Sequence, residues 1–345
     1  MIRTLADHFE VAAGLASGIS RYAAGLGLDV DPIARACGLD PQRFTNFNER
    51  ISLDRLCRYM EALALIAGDD TFGLKSVAGF EKGSSGPFGY GLMNAPTVRD
   101  FLMFFGRNMS KVSETRICTL EIGARAAHFE WTYSPLILHR DQYVDMGLVQ
   151  GFNLLRVFLG DDINRVKLEL ERKKPINTNY HKQLLTQNVS FNAPVNAMII
   201  PAEFLGRNNP DADPRLFEIM SMQMDAMQAS RTDIADPVVA IKLQVAENLA
   251  DNTPTLASEA ERLGMSPRTL QRRLTDAGTS MQAIIDECRK EMAERLLSET
   301  TLTLSSISYK LGFSAPAAFT RSAIRWFGMT PSQYRKENLR GREAR

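Results

Sequence analysis

Cysteine and histidine are scarce in this chain, four of each in 345 residues. Cys37, Cys57, Cys118 and Cys288 lie far apart with no CxxC among them, and the histidines form no HxxxH or HExxH pair. Those spacings fit buried thiols in a reducing cytosol better than a disulfide framework or a zinc site. No metal and no cofactor is expected. Long apolar runs are missing too. "MIRTLADHFEVAAG" at the N-terminus is interrupted throughout, and no stretch elsewhere approaches the roughly 20 apolar residues of a membrane span, so a cytoplasmic chain without a membrane partner is expected. Net charge is nearly absent at +1, so global electrostatics point to no partner. Hydrophobic residues at 44% and charged residues at 23% exclude a disordered chain. The length suffices for two or three domains.

The charge that is present is unevenly placed. From Arg262 onward there are 15 Lys and Arg against 8 Asp and Glu, a local charge of +7 that leaves −6 on the rest. This asymmetry suggests a basic, polyanion-facing module at one end. Within it, "SPRTLQRRL" (266–274) sets Arg268, Gln271, Arg272 and Arg273 around two apolar anchors, Leu270 and Leu274. Most such faces are merely solvated, so the stretch has to be read in context.

The first hundred residues read as helices: "PIARACGLD" closed by Gly38, "SLDRLCRYMEALALIAG" with Leu53, Leu56, Met60, Leu63 and Ile66 on one face and a stop at Gly68, and the aromatic-faced "TVRDFLMFFGRNMS". From 114, "TRICTLEIGARAAHFEWTY" alternates and reads as a hairpin turning at Gly123. A helix over about 139–159, a strand near "RVKLEL", strands at "VSFN" and "NAMIIP", and a Met-rich helix "PRLFEIMSMQMDAMQA" follow. Residues 1–229 are therefore expected to form an α+β domain. "SRTDIAD" (230–236) is polar without core pattern and reads as a linker, and 237–345 as an all-α domain.

In that last segment "TLASEAERLG" has Thr255 as N-cap, Leu256, Ala260 and Leu263 on one face, and a stop at Gly264. Ser266 then caps a second helix with Pro267 at its first position. Two short helices joined through a glycine turn make a helix-turn-helix pattern, whose second helix can enter a major groove. The pattern recurs 48 residues later, where Leu304, Leu311, Gly312 and Ser314 match Leu256, Leu263, Gly264 and Ser266. The second copy runs one residue longer before its anchor, Phe319 against Leu270. Between the copies, a capping box of Thr279 with Gln282 is expected to open a helix with a stripe of Met281, Ile284, Ile285, Cys288, Met292 and Leu296. About 19 residues of helix span roughly 28 Å, close to the roughly 34 Å between successive major-groove faces on one side of DNA.

"SPRTLQRRL", "YKLGFSAPAAFTR" and "RWFGMTPSQYRK" resemble the signature of the AraC/XylS family of bacterial transcription regulators, over about 236–337. "LGLDVDPIARACGLD", "ISLDRLCRYMEAL", "GDDTFGLK" and "GYGLMNAPTVRDFL" are similar to a family-associated sensor domain of the non-cupin α+β type. The resemblance implies a DNA-binding regulator, by family habit an activator. It also implies a small-molecule effector on the N-terminal domain, a homodimer, contact with RNA polymerase, and no enzymatic activity. By motif position its base-contacting residues fall on Arg268, Gln271 and Arg272, whose side chains suit guanine and adenine edges. Arg273 is assigned to phosphate or solvent. Ser266 and Thr269 complete the first set, and Ser314, Ala317, Thr320 and Arg321 form the second, with Arg321 at the position of Arg272. "SAPAAF" has Ala315, Pro316 and Ala317 where relatives commonly carry polar residues, and Ala323 replaces a common core Phe, so the second head is expected to read bases weakly.

The remaining features have plainer readings. "GFEKGSSGPFGYG" lacks GK[ST] and a G-x-G-x-x-G after a strand, so it reads as a structural turn. Phe101 and Phe105 with Trp131 and Tyr133 can line a ligand pocket, though core packing is simpler. The Met-rich helix reads as core or interdomain packing. The alternative function is a DNA-tethered enzyme or repair protein with its chemistry in the N-terminal domain. The repair relatives need a zinc-spaced cysteine cluster that this chain lacks, and Asp141, Asp145 and His139 complete no catalytic set.

Overall fold

The computed structural model describes residues 4–46, 49–81, 85–229, 236–250 and 253–343. The chain divides into two compact units, Met1–Arg231 and Thr232–Arg345. Apart from Asp236, the stretch read as a linker lies outside the described residues.

The first unit opens with β1 (Glu10–Ala12), α1 (Gly14–Gly25) and α2 (Val30–Ala36), then β2 (Arg50–Ser52), which pairs antiparallel with β1. Helices α3 (Leu53–Ala67), α4 (Phe72–Ser76), α5 (Gly86–Asn94) and α6 (Val98–Val112) follow. The hairpin β3 (Ile117–Ile122) and β4 (Ala126–Thr132) leads to the long helix α7 (Asp141–Leu159), β5 (Lys167–Leu170), α8 (Asn179–Leu184), β6 (Val189–Phe191), β7 (Asn196–Pro201) and α9 (Pro214–Ala229). The main sheet runs β3-β4-β7-β5-β6, antiparallel except for β5 with β6. Mixed helices and sheets of this kind are the expected α+β architecture.

Local chemistry sets most boundaries. Ser52 and Thr97 cap α3 and α6, accepting from the backbone N–H of Arg55 and Asp100. Gly68 ends α3 in the left-handed region. Leu53, Leu56, Met60 and Leu63 are buried as the pattern requires, but Ile66 is exposed, because the inward stripe passes through Ala64 instead. The glycine-rich stretch is not a turn from Gly86 onward. It forms α5, whose period the glycines hide, and at Gly91 a Cβ would lie 2.2 Å from the Phe104 ring, so only glycine lets α5 lie this close to α6. The Met-rich α9 is also less buried than its composition suggests: Met224 is enclosed, while Ile219 and Met222 are exposed.

The core of this unit lies between one sheet face and helices α6 and α7. Phe129 on β4 meets Phe105 on α6, their rings 5.1 Å apart and edge-on, Trp131 packs beside Phe129, and Phe101 meets Phe158 of α7. At the other end of α7, buried Asp145 pairs with half-buried Arg172 and lies 3.3 Å from Nε2 of buried His181.

The second unit is α-helical among its described residues: α10 (Pro237–Glu247), α11 (Leu256–Arg262), α12 (Pro267–Asp276), α13 (Met281–Glu299), α14 (Leu304–Lys310), α15 (Pro316–Phe327) and α16 (Pro331–Glu343). Thr255, Ser266 and Thr303 cap α11, α12 and α14. The expected box of Thr279 with Gln282 does not open α13; Ser280 is the N-cap, accepting from Ala283 N–H. The hydroxyl one residue later has the extended backbone a cap needs. On α13, Met281, Ile284, Cys288, Met292 and Leu296 are buried and Ile285 is half-buried.

Candidate nucleic-acid interface and effector cavity

Helix α12 is anchored from beneath and open above. Leu270 and Leu274 are buried, while Arg268, Gln271, Arg272 and Arg273 are exposed. None of those four side chains has a hydrogen-bond or ion-pair partner among the described residues. Ser266 Oγ accepts from Thr269 N–H at 3.2 Å and lies 2.9 Å from the Thr269 hydroxyl, so both residues serve the cap and fix where the helix starts. The turn before it depends on Gly264 at φ +65°.

The second unit repeats this frame with different contents. Pro316 opens α15 as Pro267 opens α12, which puts Ala317, Thr320 and Arg321 at the helical positions of Arg268, Gln271 and Arg272. Ser314 is not the N-cap. The longer turn passes that role to Ala315, which has no side chain to cap with. The Thr320 hydroxyl donates to the Pro316 carbonyl at 3.1 Å, and Arg321 is exposed without a partner among the described residues. Buried Phe319 and Ala323 anchor the helix, beside an aromatic run through Phe313, Trp326, Phe327 and Tyr334.

Helix α13 holds this second unit by side chains that no motif singled out. Arg289 donates to the carbonyls of Leu311 and Gly312 at 2.9 and 3.1 Å and covers the Phe313 ring. Asp286 accepts from Trp326 Nε1 at 3.0 Å and pairs with Arg325.

In the first unit a cavity of about 950 Å³ lies among α1, α5, α6 and α7. Phe105 and Tyr133 reach it, whereas Phe101 and Trp131 line only a neighbouring void of about 70 Å³, which Phe105 and Tyr133 share. Core packing therefore describes Phe101 and Trp131. Sequence reasoning missed Ser113 and Tyr143, which join Tyr133 at the cavity wall. Burial pushes both phenols well up, so they remain protonated donors. Ser113 Oγ lies near enough to influence both phenols, yet it is buried with no bond of proper geometry to any described residue. A hydroxyl in a helix-to-strand connection carries no periodic signal that would have marked it.

Residues 27–209 match the family described as the arabinose-binding domain of AraC transcription regulators, and residues 260–337 match a helix-turn-helix domain. The chain belongs to the AraC family of transcription regulators. The regulator VirS of Mycobacterium tuberculosis is 27% identical over 315 residues, covering 90% of this chain and 92% of that one. The ornithine utilization regulator of Pseudomonas aeruginosa is 21% identical over 94% of this chain and 96% of its own. The crystal structure of the regulator CdpR from Pseudomonas aeruginosa covers 89% of this chain and 96% of its own at 17% identity, with a TM-score of 0.36. As an AraC-family regulator the chain has an N-terminal ligand-binding domain and a C-terminal helix-turn-helix DNA-binding domain. No helix among the described residues is long and apolar enough to cross a membrane.

Chemically, the α12 surface offers donors in fixed register. An arginine can bridge guanine O6 and N7, and a glutamine can pair with adenine N6 and N7. At the matching positions α15 offers the Arg321 guanidinium, the Ala317 methyl and a Thr320 hydroxyl already bonded to its own helix, while Arg325 is paired with Asp286.

Proposed function

We propose that this regulator reads its operator mainly through α12, with Arg268, Gln271 and Arg272 on base edges and Arg273 on phosphate. On α15, Arg321 holds phosphate, while Ala317 and Thr320 contribute apolar contacts, including to thymine methyls. Ser266, Thr269 and Ser314 approach the backbone at the turns. The observation that carries this reading is that the basic face of α12 has no intramolecular use. Four exposed side chains lacking a partner among the described residues surround two buried leucines.

The effector is a small molecule in the cavity of the first unit, with Phe105 and Tyr133 on its wall and Phe101 and Trp131 packed behind them. The protein acts in the cytoplasm as a homodimer that activates transcription through RNA polymerase. Support for dimerisation is exposed apolar side chains on the first unit: Ile122 on the edge strand β3 and Met103 on α6 line one hollow, and Ile219 and Met222 on α9 are exposed as well.

The test is a titration of residues 236–345 on duplex DNA from the protein's own upstream region, followed by footprinting of the full chain. Binding that weakens steeply with salt is expected, because phosphate contacts release counterions. A folded fragment with no salt-sensitive binding overturns the DNA reading. Sedimentation of a monomer at micromolar concentration, with and without operator, overturns the dimer.

A further inference from the structure

Helix α7 carries two glycines, Gly147 and Gly151, four residues apart in its interior. Each is costly to a helix relative to alanine. Close packing does not require either, since a Cβ at each would meet nothing within 4 Å, in contrast to Gly73 and Gly91, where a Cβ would strike a neighbour. Both line the large cavity, on a face of α7 that runs from Tyr143 through Leu154 to Phe158. Fifteen helical rises from Tyr143 to Phe158 make that face about 22 Å long. The two glycines widen the cavity where bulkier residues would fill it.

The facing wall is largely apolar, with Leu15, Phe80, Phe88, Leu92 and Val112, and three methionines (Met93, Met109 and Met146) line the same space beside a few amides and Ser85. Methionine adapts to irregular apolar shapes. Among the described residues no Lys, Arg or His lines the cavity, and its charged members are the acids Glu81 and Asp211. Glu81 is already paired with Arg21 at 2.8 Å. An anionic ligand would find no counter-charge among the described lining residues, and a buried unpaired carboxylate is strongly penalised. A sugar needs a partner for each hydroxyl, and Asn94, Asn153 and Asn209 in the lining are already hydrogen-bonded within the protein, which leaves too few free groups for it. Ser85 and Gln150 are half-exposed, and the buried polar capacity is at Ser113, Tyr133 and Tyr143, where Ser113 is 4% exposed and no described residue bonds to its hydroxyl.

We propose that the cavity binds an elongated, uncharged, largely apolar molecule of the long-chain alcohol, ester or lactone class, with its single oxygen function seated on Ser113, Tyr133 and Tyr143 and its chain lying along the Gly147–Gly151 face of α7. The proposal rests on the reading of this cavity as the effector site and names the chemistry that site selects.

The experiment is calorimetry and thermal melting of the full-length protein without DNA, using 1-decanol, decanoate, decyltrimethylammonium and L-arabinose as separate probes. Decanol is expected to bind saturably and raise the melting temperature by mass action. Decanoate and the ammonium should bind at least about tenfold more weakly, and arabinose should not bind at the same concentrations. Ser113→Ala should weaken decanol by about threefold to tenfold, the loss of one hydrogen bond. Gly151→Leu should abolish binding while leaving the melting temperature no lower. If Gly151→Leu fails to fold by circular dichroism, Ser113→Ala decides. Decanoate, ammonium or arabinose binding as tightly as decanol overturns the proposal, as does decanol binding that a folded Gly151→Leu leaves intact. Footprinting with and without each probe separates the two readings. Decanol that binds as expected but leaves the footprint unchanged upholds the cavity chemistry and removes its regulatory role. A probe of another class that binds and alters the footprint, with decanol inert, does the reverse.

Discussion

Arg289 donates through Nη2 to the carbonyl of Gly312 at 3.1 Å, tying the helix between the two helix-turn-helix units to the turn of the second. The same guanidinium reaches Leu311 at 2.9 Å, so the backbone that sets the entry angle of α15 is held by one side chain of α13. Hydrogen bonds from a charged donor contribute about 1.5–3 kcal/mol each. Arg289→Ala, which loses both bonds, is expected to destabilise the second helix-turn-helix unit by about 3 kcal/mol or more and to weaken DNA binding, while an isolated α11–α12 contact footprint persists. Thermal melting and footprinting of the variant check this; loss of the α12 half of the footprint alone would contradict it.

The two turn glycines are not equivalent. Both adopt positive φ, +65° at Gly264 and +71° at Gly312, but a Cβ at Gly264 meets nothing, whereas at Gly312 it would lie 1.9 Å from the Leu249 carbonyl oxygen. Gly264→Ala should cost about 1–2 kcal/mol, the left-handed penalty alone. Gly312→Ala must also displace backbone and is expected to exceed about 4 kcal/mol. Chemical denaturation of both variants of the 236–345 fragment distinguishes the two costs.

The heads should differ in what they contribute to recognition. A good bidentate base contact carries about 1–3 kcal/mol of discrimination. Arg272→Ala is expected to lose about tenfold or more on the specific site and little on random DNA. Arg321→Ala should weaken both nearly equally and flatten the salt slope by about one unit. Titration of both variants on specific and scrambled duplexes at two salt concentrations is the measurement. Specificity lost only with Arg321 would reverse the assignment.

Acid stability of the first unit should track Asp7. Its burial pushes the carboxyl up, but hydrogen bonds from Arg55 at 2.6 and 2.8 Å and from Thr4 N–H outweigh that and hold it well below the usual carboxylate range. A carboxyl depressed in the folded state stabilises above its unfolded value, and that stability is lost as pH falls through the folded one. Asp7→Asn is therefore expected to cost about 2 kcal/mol at neutral pH, with the gap to the parent closing as pH drops below about 4. Melting curves at stepped pH test it; a gap that widens in acid would be inconsistent.

Gly151→Ala should stabilise the free protein. The helix interior gains the better former by about 0.8–1 kcal/mol, and the added methyl enters open space. A lower melting temperature than the parent would mean that the glycine serves packing after all.

Periodic and local chemistry was legible without coordinates. The caps at Thr255 and Ser266, the stops at Gly68 and Gly264 and the buried stripe of α13 each depend on residues within one or two turns of one another. So did the candidate reading face: Arg268, Gln271 and Arg272 are placed by helical spacing and by the two leucines beneath them, and the sequence alone determined that arrangement. The errors fall where a neighbour outside the segment decides. Ile66 lost its place to Ala64 because the partner helices favour a different edge of α3, and the glycines of α5 hid a helix whose reason is the Phe104 ring ten residues and more away. Only the tertiary structure could bring Ser113, Tyr133 and Tyr143 to one end of a cavity, set Gly147 and Gly151 along its length, and place Arg289 on the turn at Gly312. Such positions are fixed by how elements pack against each other, and side chains without a repeating pattern leave no trace of that packing in the order of residues along the chain.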